Sequence, residues 1–156
     1  MTIKRCLFPT DFGPLAIAAA PLAQSLVNQL GASLDVLHVL RFIVPPPAPS
    51  EAPTLSPLGP LDDHVDKARA LAQLTAFADH HFPALAQPPH TSLRIGAPMD
   101  EIIAHARESR ADLLIVPTHA DGILHRVIFG SVSKSILEHA PCPVLMIPAA
   151  AASAVA

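Results

Sequence analysis

Gly130 and Ser131 are the residues in this chain best placed by type and position to do chemistry. They stand directly before a run with apolar residues at helical spacing, Val132, Ile136 and Leu137. A Gly-Ser pair opening a helix presents free backbone N–H groups and a hydroxyl, a combination suited to an anion. His119, His125 and Arg126 lie in the loop before the pair, where they face either a bound phosphate or solvent. The pair is preceded by Val127-Ile128-Phe129, not Gly-Lys, so there is no Walker lysine. No Gly-x-Ser-x-Gly nucleophile signature occurs. His139 and Cys142 are three positions apart with no second pair to complete a metal site. Asp11 could orient a water, but one carboxylate is no hydrolytic centre.

These residues must be held by the elements around them. Two short apolar runs, Leu113–Val116 and Val144–Ile147, flank the Gly-Ser helix, with Asp112 starting the first. Strand–helix–strand at this length is a βαβ unit. Upstream, Ile3–Phe8 reads as a first strand closed by Pro9-Thr10-Asp11. A helix starts at Pro14 and ends at Gly31, with Leu15, Ala18, Ala19, Leu22, Leu26 and Leu30 as its apolar stripe. Pro21 should kink or restart it. Ser33–Leu40 is a near-continuous apolar strand, as a parallel strand covered on both faces should be. His38 within it reads as a core or strand-end histidine.

Seven prolines between Pro45 and Pro60 forbid helix and ladder alike, so 45–60 is expected to be a surface loop. Asp62 to Phe82 is a second helix with Val65, Ala68, Leu71, Ala72, Ala76 and Phe77 inward and His80-His81 on the surface. Thr91–Ile95 is a third strand, and Met99–Ser109 a third helix with Ile102, Ile103 and Ala106 inward. Residues 149–156 are expected to be a disordered tail after a single domain spanning 1–148. Alternating strands and helices predict an α/β fold, a doubly wound, five-stranded parallel sheet of order 3-2-1-4-5 with helices on both faces. Its switch point lies between strands 1 and 4, bringing Pro9-Thr10-Asp11 and Val116-Pro117-Thr118 to one cleft.

The chain has 156 residues, 51% hydrophobic and 15% charged, with a net charge of −3 and no basic cluster. That argues against a nucleic-acid partner. Residues 12–34 carry no formal charge, but Gly13, Pro14, Pro21, Gln24 and Asn28 interrupt them too often for a membrane span. No secretory leader is legible, so a cytoplasmic setting with reduced, buried Cys6 and Cys142 is expected. The apolar edge strand Val144–Ile147 invites pairing with a second copy.

Several segments resemble the universal stress protein family: P-T-D-F at 9–12, L-H-V at 37–39, G-x-P at 96–98, A-D-L-L-I at 111–115, T-H at 118–119, G-S-V at 130–132 and H-A-P-C-P-V-L at 139–145. The resemblance implies an adenine-nucleotide alpha-hydrolase-like fold and a homodimer paired through Val144–Ile147. It also implies ATP or another adenine nucleotide as ligand, with Mg as its only metal and at most very slow hydrolysis. Asp11 would meet the adenine and Val39 would line the base pocket. Gly130, Ser131, Val132 and Ser133 would contact phosphate. The family's nucleotide motif is Gly-x2-Gly-x9-Gly-(Ser/Thr). Here Pro117 and Ala120 occupy the first two glycine positions, either side of Thr118-His119. Pro117 has no N–H, and Ala120 adds a methyl and resists positive φ. The alternative is therefore a dimeric interaction protein that keeps the fold without the nucleotide.

Overall fold

A computed structural model describes residues 2–41, 63–118 and 136–148. The proline-rich segment 45–60, Asp62, the Val65 side chain and the segment 149–156 lie outside that description, as do His119, Ala120 and Gly130–Ser133. The elements in order are β1 (Arg5–Pro9), α1 (Pro14–Leu30), β2 (Ser33–Leu40), α2 (Asp63–His81), β3 (His90–Ile95), α3 (Pro98–Glu108), β4 (Leu113–Thr118) and β5 (Val144–Pro148). Residues 136–139, ahead of β5, are helical. The strands form one sheet of order β3-β2-β1-β4-β5 with every neighbouring pair parallel. This is the doubly wound sheet expected from the alternation.

Side chains alternate across the sheet and build a core on each face. Cys6, Phe8, Val36 and Ile115 pack with α1 and α2 on one face. Leu7, Leu37, Leu114 and Val116 pack with α3 and Ile136 on the other. Phe8 and Leu114 are fully buried. Each such side chain contributes about 1.5–3 kcal/mol through the area it removes from water. α3 buries Ile102, Ile103 and Ala106 as expected.

The other two helices are rotated from the sequence reading. α1 buries Ala16, Ala19, Ala20, Ala23 and Val27, while Leu30 is exposed and Leu15, Leu22 and Leu26 are half-buried. A helix laid on a flat sheet centre fits closest through small side chains, and its larger residues then cover the flanks. In α2 the buried residues are Ala70, Leu74, Phe77 and Ala78; Ala68, Leu71, Ala72 and Ala76 are exposed. Phe77 and the buried Phe82 anchor this face, with Phe8 and Phe82 rings edge-to-face at 5.3 Å. Pro21 neither ends nor restarts α1, which runs unbroken through it. Pro21 is exposed, so the carbonyl its ring leaves without a donor is open to water.

Cys6 is buried as expected, and that burial, followed by the charge of Asp112, pushes its thiol up to about 11. Cys142 is only half-buried; burial raises its thiol as well. His81 is not plain surface, since its ring lies 4.5 Å from that of Phe77 and burial lowers its pKa.

Candidate functional site

Two prolines open the sheet at the switch point. The register between β1 and β4 runs Cys6↔Leu113 and Leu7↔Leu114, and stops there. Carried on by two residues, a parallel ladder would have Pro9 donate to the Ile115 carbonyl and residue 117 donate to the Pro9 carbonyl. Both positions are proline, and neither has a hydrogen to give. β1 and β4 therefore part, and the gap between their carboxyl ends becomes a cleft of ≈ 520 Å³. That is the size of a small-ligand site.

The cleft collects the expected residues that fall within the described structure: Pro9, Thr10, Asp11, Val39, Val116, Pro117 and Thr118. It also takes in residues the sequence reading missed, chiefly Arg41 beyond β2 and Pro98 and Ile102 of α3. Arg41 could have been found by stepping two residues along the strand from Val39. The placement of α3 needed the β2–β3 register.

The loop from β1 to α1 is fixed by its own side chains. Phe12 N–H donates to Thr10 Oγ1 at 2.9 Å, and Gly13 N–H donates to Asp11 Oδ1 at 2.8 Å. Phe12 holds a left-handed backbone, φ 62°, which is uncommon for a bulky residue and stabilised here by packing. Its ring stacks on His38 at 4.2 Å and lies 5.6 Å from Phe77. His38 Nδ1 is 2.8 Å from the Thr10 carbonyl. A carbonyl only accepts, so Nδ1 carries the hydrogen. His38 is thus a strand-end clamp that holds the loop, in keeping with its structural reading. With Oδ1 used by the loop, Asp11 keeps its other oxygen exposed and unpartnered among the described residues.

The end of β2 also presents open backbone. Thr10 N–H donates to the Leu37 carbonyl at 2.8 Å, and Gly96 N–H donates to the Leu40 carbonyl at 2.9 Å. Along a parallel strand the backbone groups of successive residues point to opposite neighbours. Leu37 therefore faces β1, Leu40 faces β3, and Val39 faces the side β1 has vacated. The β1–β2 register ends at Pro9↔Leu37. Among the described residues Val39 is left with an unpaired N–H and C=O side by side in the cleft. Gly96, at φ +153°, begins the turn into α3; a Cβ there would sit 2.8 Å from Glu101 Oε1. That turn sets Pro98 and Ile102 against the cleft.

Chemically, the described residues of the cleft offer an amide donor–acceptor pair, one open carboxylate oxygen and one cation with no partner among them, set among apolar walls. Those groups can hold a planar, polar-edged molecule and hydrogen-bond a hydroxyl. No set of three His, Cys, Asp or Glu side chains among the described residues is arranged to hold a metal. No helix among them is long and apolar enough to cross a membrane.

The molecule is thus an α/β protein of the doubly wound class with a cleft of small-ligand size at its switch point. Residues 2–148 match the model of the universal stress protein family, and the chain belongs to that family. A universal stress protein of Methanocaldococcus jannaschii is 27% identical over 146 residues, covering 92% of this chain and 81% of that protein. Two solved structures share the fold at lower identity. One is a universal stress protein in complex with cAMP, at 19% identity and TM-score 0.67, covering 96% of this chain and 99% of that one. The other is the Archaeoglobus fulgidus universal stress protein in complex with dAMP, at 18% identity and TM-score 0.62, covering 94% and 99%.

Proposed function

We propose that this cleft binds an adenine nucleotide and that the protein acts as a binding module with negligible turnover. The observation that carries the reading is that, among the described residues, the N–H and C=O of Val39 are unpaired beside the open oxygen of Asp11. The Watson–Crick edge of adenine carries an amino donor next to a ring-nitrogen acceptor, the complement of that backbone pair. Asp11 is placed to accept from a ribose hydroxyl. The sugar then leads the phosphates towards Thr118 and the chain that continues to Gly130-Ser131. The nucleotide complexes of the two structural neighbours support the choice of ligand.

Among the described residues the cleft supplies no nucleophile–base pair, and Pro117 gives no N–H to a phosphate. Both features favour holding over hydrolysis, and short nucleotides over ATP. The outer edge of β5, with Leu145 exposed, supports pairing with a second copy into a homodimer.

Calorimetry with AMP, cAMP and ATP on a sample whose mass is read by light scattering tests both parts. The expected result is saturable binding of AMP or cAMP, tighter than ATP, to a particle of twice 16.4 kDa. A folded protein silent to all three ligands overturns the nucleotide reading in favour of a pure interaction protein. A 16.4 kDa particle overturns the dimer.

A further inference from the structure

We propose that Arg41 is a base-recognition residue of this cleft, its guanidinium lying flat against the ring of the bound adenine. The inference rests on the nucleotide reading above and adds a specificity residue to it.

Three observations point to Arg41. It is the one Arg or Lys among the described residues of the lining, and it has no hydrogen-bond or ion-pair partner among the described residues. By contrast Arg94, on β3, is held by Glu101 at 2.8 Å and Glu108 at 2.6 Å. A free guanidinium at the edge of an apolar cleft is available to a ligand.

Among the described residues the lining also has no Phe, Tyr or Trp on which a purine could stack. Its other planar side chain, His38, is already stacked on Phe12 at 4.2 Å. Arg41 is the remaining flat cation among the described lining residues, and a guanidinium stacks on a π-face as well as pairing with anions.

Position then selects base over phosphate. Arg41 follows Val39 by two residues, about 6.6 Å further along an extended chain on the same side. The end of β4, where the phosphates lead, is two strands from β2, roughly 9.6 Å across the sheet before any rise above it. The guanidinium therefore sits over the ring whose edge Val39 holds.

The test compares wild type, Arg41→Ala and Arg41→Lys against adenosine and AMP by calorimetry. Arg41 is exposed and has no partner among the described residues, so the melting temperature of both variants should match wild type. Arg41→Ala is expected to weaken adenosine and AMP by the same factor, about 3- to 30-fold, the range of a cation–π contact from exposed to desolvated. Arg41→Lys should recover only part of the loss, because it restores the charge without the plane. A loss confined to AMP, with adenosine unchanged, overturns the proposal and reassigns Arg41 to phosphate. Unchanged affinity of both ligands in a wild type that binds them overturns it while leaving the nucleotide reading intact. No binding of either ligand to wild type removes the nucleotide reading and this inference with it.

Discussion

The two ends of the same sheet treat their backbone in opposite ways. At the amino end most loose groups are tied, with Asp35 Oδ1 a buried oxygen that has no partner among the described residues. Asp112 accepts the N–H groups of Lys4 and Arg5 at 2.9 and 3.0 Å, and its own N–H donates to the Arg5 carbonyl. Ser33 donates through both N–H and Oγ to the Lys4 carbonyl. Asp35 Oδ2 receives Ser92 Oγ and lies 2.7 Å from His105 Nε2. At the carboxyl end two prolines stop the central ladder, and among the described residues Val39 has a free amide pair and Arg41 has no partner. Side chains at one end spend their polar atoms on the fold. At the other end the polar atoms are left for something outside the chain. Changes at the amino end should therefore move stability and spare binding, with the reverse at the carboxyl end.

The largest expected effect is at Asp35. Asp35→Ala leaves Ser92 and His105 without their acceptor in a half-buried setting and should lower stability by about 1–3 kcal/mol in urea unfolding. Adenine-nucleotide affinity should stay within about twofold, since stability and binding changes at distant sites are independent. A variant of unchanged stability that no longer binds AMP would place the ligand at the wrong end of the sheet.

Pro117→Val probes the opening itself. Residue 117 regains an N–H directed at the Pro9 carbonyl, so the ladder can extend by one bond. The gain of about 0.5–1.5 kcal/mol for that bond is nearly offset by the 0.4–1 kcal/mol lost with proline's rigidity. Stability should thus change little, while the new amide exchanges slowly and AMP binds more weakly in a narrowed cleft. Rapid exchange of that amide would show that something other than the prolines parts β1 from β4.

The smallest effect is at Asp112. The N–H groups of Lys4 and then Arg5 hold its carboxyl below the usual carboxylate range. A lowered folded value means stability that is present above the unfolded carboxylate pKa and lost as pH falls through the folded one. Asp112→Asn should be slightly less stable than wild type at neutral pH, and the gap should close in acid. A gap that persists undiminished at about pH 2 would show that charge is not what Asp112 contributes.

Much of the cleft was legible in the chain. Pro9, Thr10, Asp11 and Pro117 could be placed together because alternating strands and helices fix a switch point, and strand ends there face one another. Val39 came from resemblance alone; only the hydrogen-bond parity along β2 shows its amide pair open to the cleft. The inward faces of α1 and α2 were misread, since hydrophobic periodicity weighs large residues while contact with a flat sheet selects small ones. Ala16, Ala20 and Ala23 carry almost no signal in such a count, yet they lie against the sheet.

The sequence by itself determined the order of elements, the parallel sheet and the location of the cleft, because right-handed crossovers leave few ways to wind such a chain. It also determined that residues 9 and 117 have no amide hydrogen. Tertiary structure alone decided that those two positions fall where the next two bonds between β1 and β4 would form. It also decided that Arg41 stands beside the cleft with no carboxylate partner among the described residues. Both facts depend on which strand lies next to which and in what register, and pairing between segments about a hundred residues apart leaves no local mark on either.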